Sequence, residues 1–334
     1  MKLCDLNPGP GIGASAWHVE MDGHGLLMDA GTHPKLEGSP ALPLYDTIRK
    51  RPVDAIAFTH CHHDHVGSLP VALRLFPQAH VMMTELSYFI IERVLHNSVN
   101  VMKRQADEKG IPEYPLYTHR EVDEFAPVFQ GYRYNREIEW CGLEKAAKGQ
   151  SSPTLEFHDA GHALGSAGIM VRGKNETLFY TGDVCLHDQT ILKAARFAEV
   201  QADVMIMETT RGTRKTPADF SRAGEIEKLS TAIEATFERG GSVLIPTFAL
   251  GRTQEMLAML ALLMKEGRLK KQTVFIGGLG RVFTEIYDLQ SHRANRQHTD
   301  LQLNEALDLQ VLDRDHAAKI KLNKGRLFVM TAGM

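Results

Sequence analysis

Residues 59–65 read Thr-His-Cys-His-His-Asp-His, which sets His60, His62, Asp64 and His65 within six positions, directly after an apolar run at 53–58. Imidazole nitrogens and carboxylate oxygens are the donors of catalytic zinc, manganese or iron sites. Four of them this close can hold two metal ions side by side, and few other functions need that arrangement. A polar loop whose histidines bond only to backbone and water would leave three further candidates unexplained. These are Asp29 in Leu-Leu-Met-Asp-Ala-Gly, His162 in Ala-Gly-His-Ala-Leu-Gly-Ser-Ala-Gly, and Asp183 in Phe-Tyr-Thr-Gly-Asp. Asp-Ala-Gly and Gly-Asp are common turn sequences, so the weight lies in the ordered set. Two ions so held lower the pKa of a bridging water towards about 7 and clamp a phosphate between them.

The elements that must position these residues follow from periodicity. Apolar, β-rich runs at 16–21, 26–29, 53–59, 79–84, 155–158, 167–172, 177–181 and 202–207 predict strands, with Asp22-Gly23 as a hairpin turn between the first two. Helical patterns occupy 68–76 and 85–109. Asp29, His60, Asp183 and Glu208 each stand at the C-terminal end of an apolar strand, where open α/β sheets place their chemistry. After residue 208 the pattern changes: helices at 216–239, 252–265 and 282–289 alternate with strands at 242–246, 273–277 and 326–331, which reads as a separate α/β unit. Met256, Met259 and Met264 fall at helical spacing and read as core.

The chain has 334 residues, 43% hydrophobic and 24% charged, an ordinary globular composition. No apolar run reaches the length of about 20 residues that a membrane helix needs. The N-terminus lacks a signal-type apolar core, so the cytoplasm is the expected compartment. The four cysteines are widely spaced and form no Cys-x-x-Cys pair, so Cys61 and Cys185 are read as packing residues. Residues 1–208 carry 27 acidic and 19 basic side chains; residues 209–334 carry 14 and 19. A basic second part beside an acidic metal-binding first part is compatible with a polyanionic substrate. Arg252 and Arg281, beside glycines at predicted helix starts, are candidate phosphate contacts; a pairing of Arg252 with Glu255 is the competing reading. His63, His158 and His187 are read as structural, and the basic cluster Arg211, Arg214 and Lys215 as a solvated linker.

The ordered set His60-x-His62-x-Asp64-His65, His162 and Asp183 resembles the metallo-β-lactamase superfamily. The resemblance implies an α/β fold, an αββα sandwich with a dinuclear site at one edge. His60, His62 and His162 are then expected to hold one metal, and Asp64, His65 and the bridging Asp183 the second. Asp29 matches a motif that orients the ligand loop without ligating. Glu208 in Met-Glu-Thr-Thr-Arg-Gly is similar to the acidic motif closing the lactamase-like half of the β-CASP nucleases. Residues 246–255, Pro-Thr-Phe-Ala-Leu-Gly-Arg-Thr-Gln-Glu, resemble their Pro-x-Phe-Ala-x-Gly-Arg-x-Gln-Glu segment, and Thr331-Ala-Gly-Met334 is similar to the segment where that family's chain returns from its inserted domain. A lactamase-like domain at 1–208, with a return strand at 326–334, and a β-CASP-like domain at 209–325 are therefore expected.

This family includes RNA-processing nucleases. The resemblance implies phosphodiester hydrolysis by a hydroxide held between two divalent ions, zinc favoured and manganese the alternative, with single-stranded RNA as substrate. Asp64 and Asp183 would hold and polarise the nucleophile, and Glu208 would steer a leaving-group acid. That acid and a last metal ligand are expected downstream of Met334, so the chain reads as a C-terminally truncated member with an incomplete site. Gly277-Gly-Leu-Gly-Arg281 departs from the Asp-Ser-Pro-like turn of the relatives. A homodimer is expected from family behaviour alone. The rival functions are a small-molecule metallo-hydrolase of the superfamily and a non-catalytic RNA-binding relative.

Overall fold

In a computed structural model, residues 1–9, 11–140, 153–312 and 325–331 are described. They fold as two compact units, one of Met1–Leu186 with Ala195–Glu208, the other of His187–Ala194 with the described residues from Thr209 onward.

The first unit is built on two sheets. One has six strands in chain order, β1 (Lys2–Asp5), β2 (Trp17–Met21), β3 (His24–Met28), β4 (Ala55–Ala57), β5 (His80–Thr84) and β6 (Phe129–Tyr132). β1 to β3 are antiparallel and β3 to β6 parallel. The β2–β3 hairpin turns on Asp22 and Gly23, both at positive φ (51° and 87°), as the sequence predicts. The other sheet runs β11-β10-β9-β8-β7, from β7 (Glu137–Glu139), β8 (Thr154–Asp159), β9 (Ala167–Arg172), β10 (Thr177–Tyr180) and β11 (Val204–Ile206). Val19, Met21, Leu26, Met28 and Met82 of the first sheet pack on Ile138, Leu155, Phe157, Ile169, Val171 and Leu178 of the second. Each such side chain contributes roughly 1.5–3 kcal/mol on leaving water.

Helices α1 (His63–Val66), α2 (Leu69–Leu75), α3 (Glu85–Lys109) and α4 (His119–Phe125) complete this unit. α3 has the predicted bounds because both ends are capped: Thr84 Oγ1 accepts from Ser87 N–H, and Gly110 takes the left-handed conformation. α4 is absent from the periodicity reading, although its Thr118–Glu121 capping box is a legible start signal. β1, β6 and β7 are also absent from it.

The second unit has α5 (Arg222–Glu238), β12 (Val243–Thr247), α6 (Arg252–Lys265), β13 (Val274–Ile276), α7 (Gly278–Leu289), α8 (Leu303–Ala306), β14 (Leu309–Val311) and β15 (Leu327–Thr331). Its sheet is all parallel, in the order β12-β15-β13-β14. This corrects the expectation that 326–334 returns to the first unit. Val329 is paired with Ile245 on one side and Ile276 on the other, so the backbone groups of β15 are committed within the second sheet. Ala332, Gly333 and Met334 of the expected return segment lie outside the described residues.

Two helix starts also move. α5 begins at Arg222 rather than after Pro217, because the Ser221 hydroxyl caps it by accepting from Gly224 N–H. α7 begins at Gly278, four residues before its predicted start. Gly280 tolerates the helix interior because it faces α6: a Cβ there would meet Thr253 at 3.4 Å, and its carbonyl accepts from Gln254 Nε2. No helix among the described residues is long and apolar enough to cross a membrane.

Candidate metal centre

The site lies where β3, β4, β8 and β10 of the first unit run out. Asp29 follows β3 with φ 61°, a region few non-glycine residues occupy and one where Asp is enriched. Its buried carboxylate holds it there. Oδ1 accepts from Thr59 N–H at 2.8 Å, and Oδ2 accepts from Thr59 Oγ1 (2.8 Å), His65 Nδ1 (2.7 Å) and Tyr180 Oη (2.9 Å). Gly31, two residues on, lies so close to the Asp64 carbonyl that a Cβ would sit 1.7 Å from it. Asp-Ala-Gly is thus a clamp on the histidine loop. Ser15 N–H donates to Asp64 O, Ala30 N–H to His65 O and Thr32 N–H to His63 O.

These contacts decide which ring nitrogens face inward. With Nδ1–H of His65 given to Asp29, its Nε2 is left 3.5 Å from Asp183 Oδ1 and 3.9 Å from Asp64 Oδ2. Thr59 Oγ1 lies 3.1 Å from His60 Nδ1, so the His60 Nε2 also points to the centre, 3.0 Å from His62 Nδ1 and 3.9 Å from Asp183 Oδ2. Fixing the far nitrogen of a metal-binding imidazole is what outer partners do at metal sites. The His162 loop is tied from behind, where the hydroxyls of Thr84 and Ser87 both donate to Gly165 O. His162 Nε2 then reaches 3.2 Å from His62 Nδ1 and 3.5 Å from Asp183 Oδ2. Asp183 is delivered by Gly182, whose φ of 52° turns the chain beneath Thr59.

Single donor atoms of His60, His62, His162 and Asp183 all lie within 4.8 Å of one another, a set that could hold a metal ion. Asp64 and His65 stand beside it, meeting Asp183 through His65. The charge balance suits a cation. Burial, and then the neighbouring His65, His62 and His162, hold His60 well below the usual imidazole value, leaving its lone pair free. Burial opposes ionisation of Asp183, but the hydrogen bond and charge of His65, with His162 and His62, hold it well below the usual carboxylate range.

The remaining expected residues fall as follows. Glu208 follows β11, and its Oε1 accepts from Val184 N–H at 3.4 Å, next to Asp183 but outside the four-donor set. Cys61 is buried, its thiol pushed up to about 12 by burial and donating to Ser87 O, so it packs. His63 turns away to Ser98 Oγ at 2.6 Å. Arg252 and Arg281 belong to the second unit. Arg252 is exposed at the start of α6, and Arg281 pairs with Glu285 at 2.8 Å. Glu255 is not Arg252's partner: it takes Arg222 and the N–H groups of Thr190 and Ile191. Sequence reasoning missed Thr59 and Tyr180, the two hydroxyls on Asp29. Thr59 directly precedes the histidine run; Tyr180 carries no signal, since a strand tyrosine reads as core.

A family model described as the metallo-beta-lactamase superfamily matches residues 9–195. The chain is 31% identical over 256 residues to the cleavage and polyadenylation specificity factor subunit 3-I of Arabidopsis thaliana, covering 76% of this chain and 34% of that protein. It is 29% identical to the endoribonuclease YSH1 of Saccharomyces cerevisiae (78% and 32%) and 27% identical to the cleavage and polyadenylation specificity factor 73 of Drosophila melanogaster (78% and 35%). The chain thus spans about a third of the length of the curated relatives it matches. A solved protein of unknown function from Enterococcus faecalis shares the fold at a TM-score of 0.52, with 14% identity over 96% of this chain and 74% of that one. The family match spans the sheets and loops that bring His60, His62, His162 and Asp183 together, and the chain belongs to the metallo-beta-lactamase superfamily.

Proposed function

We propose that this chain carries the catalytic centre of a metal-dependent, RNA-processing nuclease of the β-CASP group. The observation that carries the reading is the convergent donor set of His60, His62, His162 and Asp183 in a chain similar to named endoribonucleases over three quarters of its length. In this reading His60, His62, His162 and Asp183 hold one divalent ion, and Asp64, His65 and Asp183 a second, with zinc favoured. Such ions acidify water and neutralise charge on phosphate oxygens.

The chain's own residues set the conditions for that chemistry. Asp29, Thr59 and Tyr180 lock His60 and His65 in the tautomers that present Nε2. Asp183 stays anionic and faces three imidazoles, so it can accept a hydrogen bond from the attacking group and hold it in line. Glu208 is anchored on Val184 and steers the leaving-group side. The second unit is read as the β-CASP domain, and Arg252, exposed at a helix start, as a contact for the RNA backbone.

The test is cleavage of an end-labelled single-stranded RNA by the full chain with added zinc, in parallel with His162→Ala and Asp183→Ala. Cleavage by the parent and its loss in both variants is expected. Equal cleavage by all three would overturn the reading, as would turnover of thioesters or lactams with RNA left intact.

A further inference from the structure

The two loops that carry the candidate ligands are both fastened to one helix, α3. At its start, Thr84 Oγ1 and Ser87 Oγ donate to Gly165 O of the His162 loop, and Ser87 O accepts from the Cys61 thiol at 3.4 Å. About three turns and 16 Å further along the helix, Ser98 Oγ lies 2.6 Å from His63 Nε2. Cys61, Ser87 and Ser98 are all buried. Cys61 and His63 are the neighbours of His62 on either side, and His63 also adjoins Asp64. Gly67 leaves room for the His63 ring, since a Cβ there would stand 2.9 Å from His63 Cε1. The carbonyl of His63 is held from the opposite direction in sequence, accepting from Thr32 N–H in the loop after Asp29.

We propose that His63 and Ser98 are positioning residues of the metal centre, whose hydrogen bond makes α3 the common splint of the His60–His65 turn and the His162 loop. The inference rests on the metal-centre reading given above, and in it neither residue touches an ion or the substrate. His62 is where the two loops meet, its Nδ1 standing 3.0 Å from His60 Nε2 and 3.2 Å from His162 Nε2. A turn fastened to a helix at one point can still pivot about it. Fastened at Ser87 and again at Ser98, on both sides of His62, it cannot. Metal donors must hold their working positions to within about 0.5 Å, so a pivot of that size is felt by the ions. Losing an outer contact of this kind commonly weakens metal binding about 10–100-fold. A merely structural hydrogen bond would instead lower the stability of the fold and leave the affinity for metal where it was.

The experiment is titration of the full chain with zinc against a chromophoric chelator, together with urea unfolding of the metal-free chain. The variants are Ser98→Ala, His63→Phe, Ser98→Thr and Ile91→Val. Ser98→Ala should weaken zinc binding about ten-fold or more. His63→Phe, which keeps a ring and removes its hydrogen bond, should do the same and keeps the test available should Ser98→Ala not fold. Ser98→Thr retains the hydroxyl and should restore most of the affinity. Ile91→Val trims buried packing in the same helix and should lower stability without moving the affinity. Zinc affinity equal to the parent's in a folded Ser98→Ala or His63→Phe would overturn the proposal while leaving the metal centre standing. So would an equal loss of affinity in Ile91→Val, which would make the effect one of stability alone. A parent that binds no zinc would overturn the metal-centre reading itself, and this inference with it.

Discussion

Two buried carboxylates, one in each unit, invite comparison. Asp29 is fully buried and Glu255 is 5% exposed. Each sits in a short sequence signature and takes several hydrogen bonds, so each satisfies the rule that a buried charge must be compensated. The donors differ. Asp29 receives Thr59, His65 and Tyr180, which are side chains of the metal centre or its rim. Glu255 receives the Arg222 guanidinium and the N–H groups of Thr190 and Ile191. One carboxylate orients side chains of the candidate site and the other fastens a strap of chain. Gln254 works like Glu255, spanning Ala249 O, Gly280 O and Thr284 Oγ1 so that α6 and α7 stay together. A short polar signature can therefore be architecture, and its donors tell which it is.

The contrast can be broken in order of effect. Asp183→Ala removes a member of the donor set itself, and metal content and RNA cleavage should both fall to background. Glu255→Ala should do the reverse. Two backbone donors lose their acceptor, for a destabilisation of about 3 kcal/mol in urea unfolding, with the number of metal ions per chain unchanged. A loss of metal in Glu255→Ala would erase the distinction between the two carboxylates. Asp29→Asn keeps the shape but withdraws the charge behind His65, and metal affinity should drop about 10–100-fold. Tyr180→Phe removes one of Asp29's neutral donors and should cost about 1 kcal/mol of stability, with only a small change in metal affinity. An effect as large as that of Asp29→Asn would mean that the hydroxyl, not the charge, orients His65.

Much of the first unit could be read from residue pattern. His60, His62, His162 and Asp183 converge because each follows a strand whose apolar run is plain, and strand ends collect on one edge of a sandwich. Thr59 and Tyr180 were hidden because a hydroxyl within an apolar strand gives no periodicity signal, and their role appears only once β4 and β10 face each other. In the second unit the register of β15 could not be read. A run such as Leu327-Phe-Val329 announces a buried strand but not its neighbours, since central parallel strands are apolar on both faces. The start of α7 was masked by Gly278 and Gly280, which lower helix propensity, although Gly280 permits close packing on Thr253.

The central place of β15 has a consequence for how the chain acquires its structure during synthesis. β12 and β13 do not touch each other; both wait for β15, the last of the four strands of this sheet to be made, as the Ser242–Arg326 contact across 84 residues marks. The described strands of the first unit all precede Glu208, so they can condense early. Until then β12, with Leu244 65% exposed even in the finished fold, offers an open strand edge to the nascent chain's surroundings. Slow translation between β12 and β15 would lengthen that exposure, and an amino-terminal product ending before β15 should be a far better chaperone client than the whole.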